Sequence, residues 1–127
     1  RPAVKVYAVE VETAAPFSAS LAAGRPVTVE YTPSFVDGMG GKGVLEQMWP
    51  LAQSVLAGSL VVSLRQVADA LRLIAERSRV IAEGAGAAPL AAALAQCPGG
   101  QRVACVVSGG NIDVGRLATI LAGGVPA

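Results

Sequence analysis

Three runs in this chain are apolar throughout rather than alternating: "AVKVYAVE" at 3–10, "GSLVVS" at 58–63 and "RVACVV" at 102–107. A strand that faces water on one side alternates apolar and polar residues, whereas one covered on both faces does not. Between these runs lie segments with helical spacing. Buried strands alternating with helices define an α/β chain with an open, mostly parallel sheet and helices on both faces. The 127 residues suffice for one domain with a modest core.

The helical segments carry their own punctuation. "SASLAAG" (18–24) reads as a short helix closed by Gly24. "RPVTVEY" (25–31) reads as a short extended segment, and "FVDGMGGKG" (35–43) as a glycine-rich loop. "VLEQMW" begins a helical pattern, and Pro50 starts a fresh helix because proline suits a first turn. In "SLRQ" (63–66), Ser63 and Gln66 form a capping box. The helix behind it puts Val67, Leu71 and Ile74 on one face, with Arg72, Glu76 and Arg79 largely off it. "EGAGAAPLAAAL" (83–94) reads as a loop entering an alanine-rich helix, and residues 114–121 form the last helix.

The stretch "VSGGNID" (107–113) is the sharpest corner in the chain. One reading is a tight strand-to-helix turn with Asn111 or Asp113 as N-cap. The other is a ligand cradle at the carboxyl end of a strand, where open α/β sheets collect ligands. Ser108 brings a hydroxyl that both donates and accepts.

Composition excludes several classes. Hydrophobic residues make up 53% and charged residues 15%, too apolar for a disordered chain. The net charge of +1 comes from scattered Lys and Arg, which argues against a nucleic-acid surface or a basic membrane face. No apolar run reaches the roughly 18 residues of a membrane span. There is no histidine, so the usual zinc ligand and neutral-pH general base are missing. Cys97 and Cys105 lack motif spacing, and a reducing cytoplasm is the expected setting.

Several segments in order resemble the C-terminal part of the pyridoxal-phosphate-dependent threonine/serine dehydratases, the fold-type-II family that includes serine racemase. They are "VKVYAVE…SASLAAGRPV", the "VDG" loop, "VSLRQVADALRLIAERSRVIAEGAGAAPLAAAL" and "VVSGGNID". The resemblance covers essentially the whole chain. It implies pyridoxal 5'-phosphate as cofactor, with Ser108 hydrogen-bonding its pyridine nitrogen. A neutral hydroxyl there leaves the ring less electron-poor than a carboxylate would, which suits β-elimination. Gly38 would let the backbone pass against the cofactor, and Glu83 would sit near the ring edge and help set its protonation. Glu10, with the carbonyl of Ala14, resembles a divalent-cation site of some relatives. The third ligand there is an acid, whereas Pro16 stands at that position here and brings no carboxylate.

The family's lysine motif and its four-glycine phosphate loop are not found around Lys5 or Lys42. The chain opens without Met and reads as an internal segment, the C-terminal portion of a catalytic unit. The N-terminal half, with the Schiff-base lysine, and any regulatory domain lie outside it. The expected partners are a hydroxy-amino-acid substrate, that N-terminal half and further copies in a homo-oligomer, with no nucleic acid and no membrane. The implied activity is dehydration and deamination of L-threonine or L-serine to a 2-oxo acid and ammonia. A related racemase, a non-catalytic binding or scaffold module, and a phosphate-binding α/β domain are the alternatives.

Overall fold

A computed structural model describes residues 3–97 and 102–127. Strand β1 (Val6–Val11) pairs in parallel with β2 (Leu56–Val62), and helices α1 (Pro16–Ala23) and α2 (Trp49–Val55) lie between them in sequence. Helices α3 (Leu64–Ser78), α4 (Gly84–Gln96) and α5 (Val114–Leu121) follow. The α/β class and the parallel pairing agree with the sequence.

The ladder sets the faces of the sheet. Val9 pairs with Leu60 and Val11 with Val62, and these four side chains join the core with Val67, Leu71, Ala87 and Ala91. The core face thus meets α3 and α4. Residues one position away, Ala8 and Glu10 on β1 with Ser59 on β2, point to the side of α1.

Helix α3 forms as its sequence specifies. Ser63 Oγ accepts from the Gln66 N–H, and the Gln66 side chain accepts from the Ser63 N–H, completing the box. Val67 and Leu71 are fully buried. Gly24 ends α1 in the left-handed conformation, φ 68°, where glycine avoids the Cβ penalty.

Two expectations need correction. Residues 102–107 make no strand: they pair with nothing described, and an extended run becomes a strand only with a ladder partner. The segment 83–94, expected as a loop entering a helix, is helix from Gly84 onward, and Pro89 lies inside α4. Residues 25–31 contribute only an isolated bridge from Thr28 to Gly43. The pattern at 44–49 resolves into a single turn of 3-10 helix, Glu46–Met48, running straight into α2.

Candidate functional site

Three segments distant in sequence meet at one end of α4. The first is the loop ending in Asp37 and Gly38, held from the core side by the fully buried Phe35 and Val36. The second is the start of α4, where Glu83 is the N-cap residue. The third is the corner 108–113 that leads into α5.

Contact between the segments is close enough to exclude side chains. A Cβ on Gly86 would lie 2.8 Å from the Gly109 carbonyl oxygen, and one on Gly109 would lie 2.5 Å from Glu83 Oε1. Glycine at 86 lets two backbones touch, and glycine at 109 leaves room for the Glu83 carboxylate. Glu83 ties them: its N–H donates to the Gly109 carbonyl at 3.0 Å, and its Oε2 accepts from the Asn111 N–H at 3.1 Å. Its Oε1 stands 3.1 Å from where a Gly38 Cβ would be. The carboxylate therefore sits between the Gly38 loop and the glycine corner.

Sequence reasoning named Gly38, Glu83 and Ser108 separately, and the fold brings them to one edge. Ser108 is exposed there, outside the bonds that Glu83 makes to Gly109 and Asn111. The cap of α5 is Asp113, whose Oδ1 accepts from the Arg116 N–H at 3.0 Å. Asn111 instead gives its N–H to Glu83, so the alternative of Asn111 as N-cap is set aside. On the approach to the corner, the Cys105 thiol donates to the Pro89 carbonyl at 3.5 Å. Burial, and secondarily the nearby Cys97, push its pKa up, so this sulfur stays protonated.

Glu10 is placed differently. Helix α1 begins with Ala15 as N-cap, which has no capping side chain, and with Pro16, which has no N–H. The next two donors, Phe17 N–H and Ser18 N–H, bond Glu10 Oε1 and Oε2 at 2.7 and 2.8 Å. Ser59 Oγ adds a third bond to Oε2 at 2.8 Å. Glu10 caps the helix from a neighbouring strand. Glu12 does the same for α3, accepting from the Leu64 N–H at 2.8 Å.

This donor set does not fit a divalent cation. A hard ion takes six or more oxygens, whereas both Glu10 oxygens face N–H and O–H donors and Pro16 offers no carboxylate. Ala14 is buried beside them, with its N–H bonded to the Val11 carbonyl. Among the described residues no cluster of three or more Asp, Glu, Cys or His side chains could hold a metal.

The cofactor side fits better. An exposed hydroxyl at Ser108, a half-buried carboxylate at Glu83 and an exposed position without a side chain at Gly38 are the groups that could meet a polar ring here. A recess of about 350 Å³ near Glu10, lined by Ala8, Phe17, Met39 and Met48 among others, has none of these three residues in its wall.

A parallel strand pair with helices between and after its strands, and a glycine corner packed against a helix start, is the arrangement of an α/β fold. The sequence profile of the family described as "Pyridoxal-phosphate dependent enzyme" matches residues 1–109, and the chain belongs to that family. It is 37% identical to an L-threonine ammonia-lyase of Thermotoga maritima over 121 residues, 94% of this chain and 30% of the relative. Among solved structures it is similar to the processed form of threonine deaminase isoform 2 from Solanum lycopersicum. That match has a TM-score of 0.87 at 26% identity and covers 96% of this chain and 37% of the other. Maize serine racemase matches with a TM-score of 0.82 at 28% identity, over 95% of this chain and 40% of the other. The chain spans about a third of the length of these relatives.

Proposed function

We propose that this chain is the C-terminal portion of the catalytic unit of a pyridoxal-phosphate-dependent lyase, part of its large cofactor domain. The complete enzyme converts L-threonine or L-serine by β-elimination to a 2-oxo acid and ammonia. The observation that carries this is the convergence of Gly38, Glu83 and Ser108 on one edge with the Glu83 carboxylate between two loops. Likeness to an L-threonine ammonia-lyase and a threonine deaminase supports the choice of reaction.

Within that reading each residue has a defined task. Bound pyridoxal phosphate supplies the conjugated ring that withdraws electrons from the amino-acid carbon. Ser108 offers its hydroxyl to the ring nitrogen, donating when that nitrogen is unprotonated. Gly38 leaves room for the ring to lie against the backbone. Glu83, anchored through Oε2 to Asn111, keeps Oε1 at the ring edge, where a negative charge biases nearby protonation. The lysine that moves the substrate proton belongs to an N-terminal half, and the opposite wall of the cleft comes from the same half. We further propose that the complete enzyme works in the cytoplasm as a homo-oligomer. No described helix is long and apolar enough to cross a membrane.

The test compares residues 1–127 with the complete polypeptide. The 127-residue chain is expected to give no ammonia from threonine and no borohydride-trapped cofactor on Lys5 or Lys42. The complete polypeptide is expected to do both, with the trap on an upstream lysine. A complete protein without such a lysine or turnover would favour the non-catalytic binding module. Conversion of L-serine to D-serine as the main reaction would favour the racemase, a reading supported by the match to maize serine racemase.

A further inference from the structure

Arg116 sits in the first turn of α5, where a cation opposes the positive end of the helix dipole. Two acids flank it. Asp113 caps the helix through the Arg116 N–H. Asp37, 79 positions earlier in the chain, accepts from the guanidinium, with Arg116 Nη1 to Asp37 Oδ2 at 3.1 Å. Asp37 directly precedes Gly38, and Arg116 lies on the helix that the Ser108 corner begins.

Each of the two elements joined by this pair has a buried anchor within a turn of the pair. Phe35 and Val36 are buried at 2% exposure, and Ile120 on α5 at 1%. Their near ends are exposed, and Asp37–Arg116 is a direct side-chain bond from one to the other. The guanidinium and the carboxylate are 38% and 64% exposed.

We propose that the Asp37–Arg116 ion pair is a clasp that sets the gap between the Gly38 loop and the Ser108 corner, and through it how long the cofactor stays bound. Both are positioning residues. The proposal rests on reading Gly38 and Ser108 as cofactor contacts. An exposed pair is weak and screened by salt, so the clasp is adjustable: ionic strength loosens it without unfolding the core.

The experiment measures release of pyridoxal phosphate from the complete holoenzyme by absorbance, from about 0.05 M to about 0.5 M NaCl. Asp37→Asn, Arg116→Gln, the charge swap Asp37→Arg/Arg116→Asp and Ser108→Ala are compared, with thermal melting followed in parallel. Each single variant is expected to speed release about 2- to 5-fold, the range of an exposed pair. Each should also flatten the salt dependence, leave the melting temperature near wild type and be rescued by the swap. Unchanged release in both single variants, while Ser108→Ala speeds it, would overturn the clasp and leave the cofactor reading standing. Unchanged release in Ser108→Ala as well would overturn both. Should Arg116→Gln fail to fold, the wild-type salt dependence decides, and salt-independent release would overturn the clasp.

Discussion

Glu10 and Glu83 are both carboxylates beside helix N-termini, and both accept backbone N–H bonds, yet they do opposite things. Glu10 is 8% exposed, and its two oxygens take three donors, two of them from the helix it caps. Glu83 is half-buried and makes no side-chain cap to its own helix. It reaches instead to Asn111 with one oxygen and holds the other among glycines. A carboxylate whose acceptor sites are filled by the fold has little left for a ligand, whereas one with an oxygen that takes no hydrogen bond has an acceptor to spare. The contrast separates an acid whose oxygens are all taken by the fold from the one to which we assign a cofactor-side role.

The strongest attempt to break this contrast is Glu10→Ala. It strips three donors of their acceptor, and a buried unsatisfied donor costs about 1–3 kcal/mol. We expect a loss of about 3 kcal/mol in urea unfolding of the protein. A midpoint unchanged from wild type would mean that α1 finds its cap elsewhere, and the division between the two acids would fall.

Gly86→Ala probes the other side. Its Cβ would meet a backbone oxygen 2.8 Å away, which cannot swing aside as a side chain does. Overpacking of this kind costs about 1–3 kcal/mol. The damage should fall on the corner, so hydrogen exchange should quicken at the Glu83 and Asn111 amides before β1. Uniform quickening across the protein would show that the corner is not a separable unit.

Ser108→Ala should have the smallest effect on stability, within about 0.5 kcal/mol, because the residue is exposed. In the complete holoenzyme it should still weaken cofactor retention and slow elimination. Loss of stability with retention unchanged would make Ser108 a turn residue only.

How much of this was legible in the sequence follows from the range of the forces involved. The Ser63–Gln66 box, the left-handed Gly24 and the buried face of α3 are local, and each could be read within a few residues. The sequence also pointed to Gly38, Glu83 and Ser108 one at a time. It did not show that Glu83 bonds Asn111, 28 positions away, or that Glu10 caps α1 from the preceding strand. Nor did it single out Asp37 and Arg116, whose pairing depends on how α5 is laid over the 35–38 loop. The start of α4 was misread because two glycines signal a loop in sequence, whereas here Gly86 serves close backbone approach inside a helix.

The parallel pairing of β1 with β2 also has a consequence in time. Val6 stands opposite Leu56, so the first rung of the ladder closes a loop of some fifty residues before it returns any bond. Helices α3 and α4 are neighbours in sequence and pack on each other, and their contacts close over short distances. Order of assembly follows from this difference: the helical pair gathers early, while the two strands wait as open edges for α1 and α2 to bring them together. Pulse-labelled hydrogen exchange during refolding should therefore protect the α3 amides ahead of those in β1, and the reverse order would refute the sequence of events. Until the ladder closes, the apolar strands are the part of the molecule most open to pairing with the wrong chain.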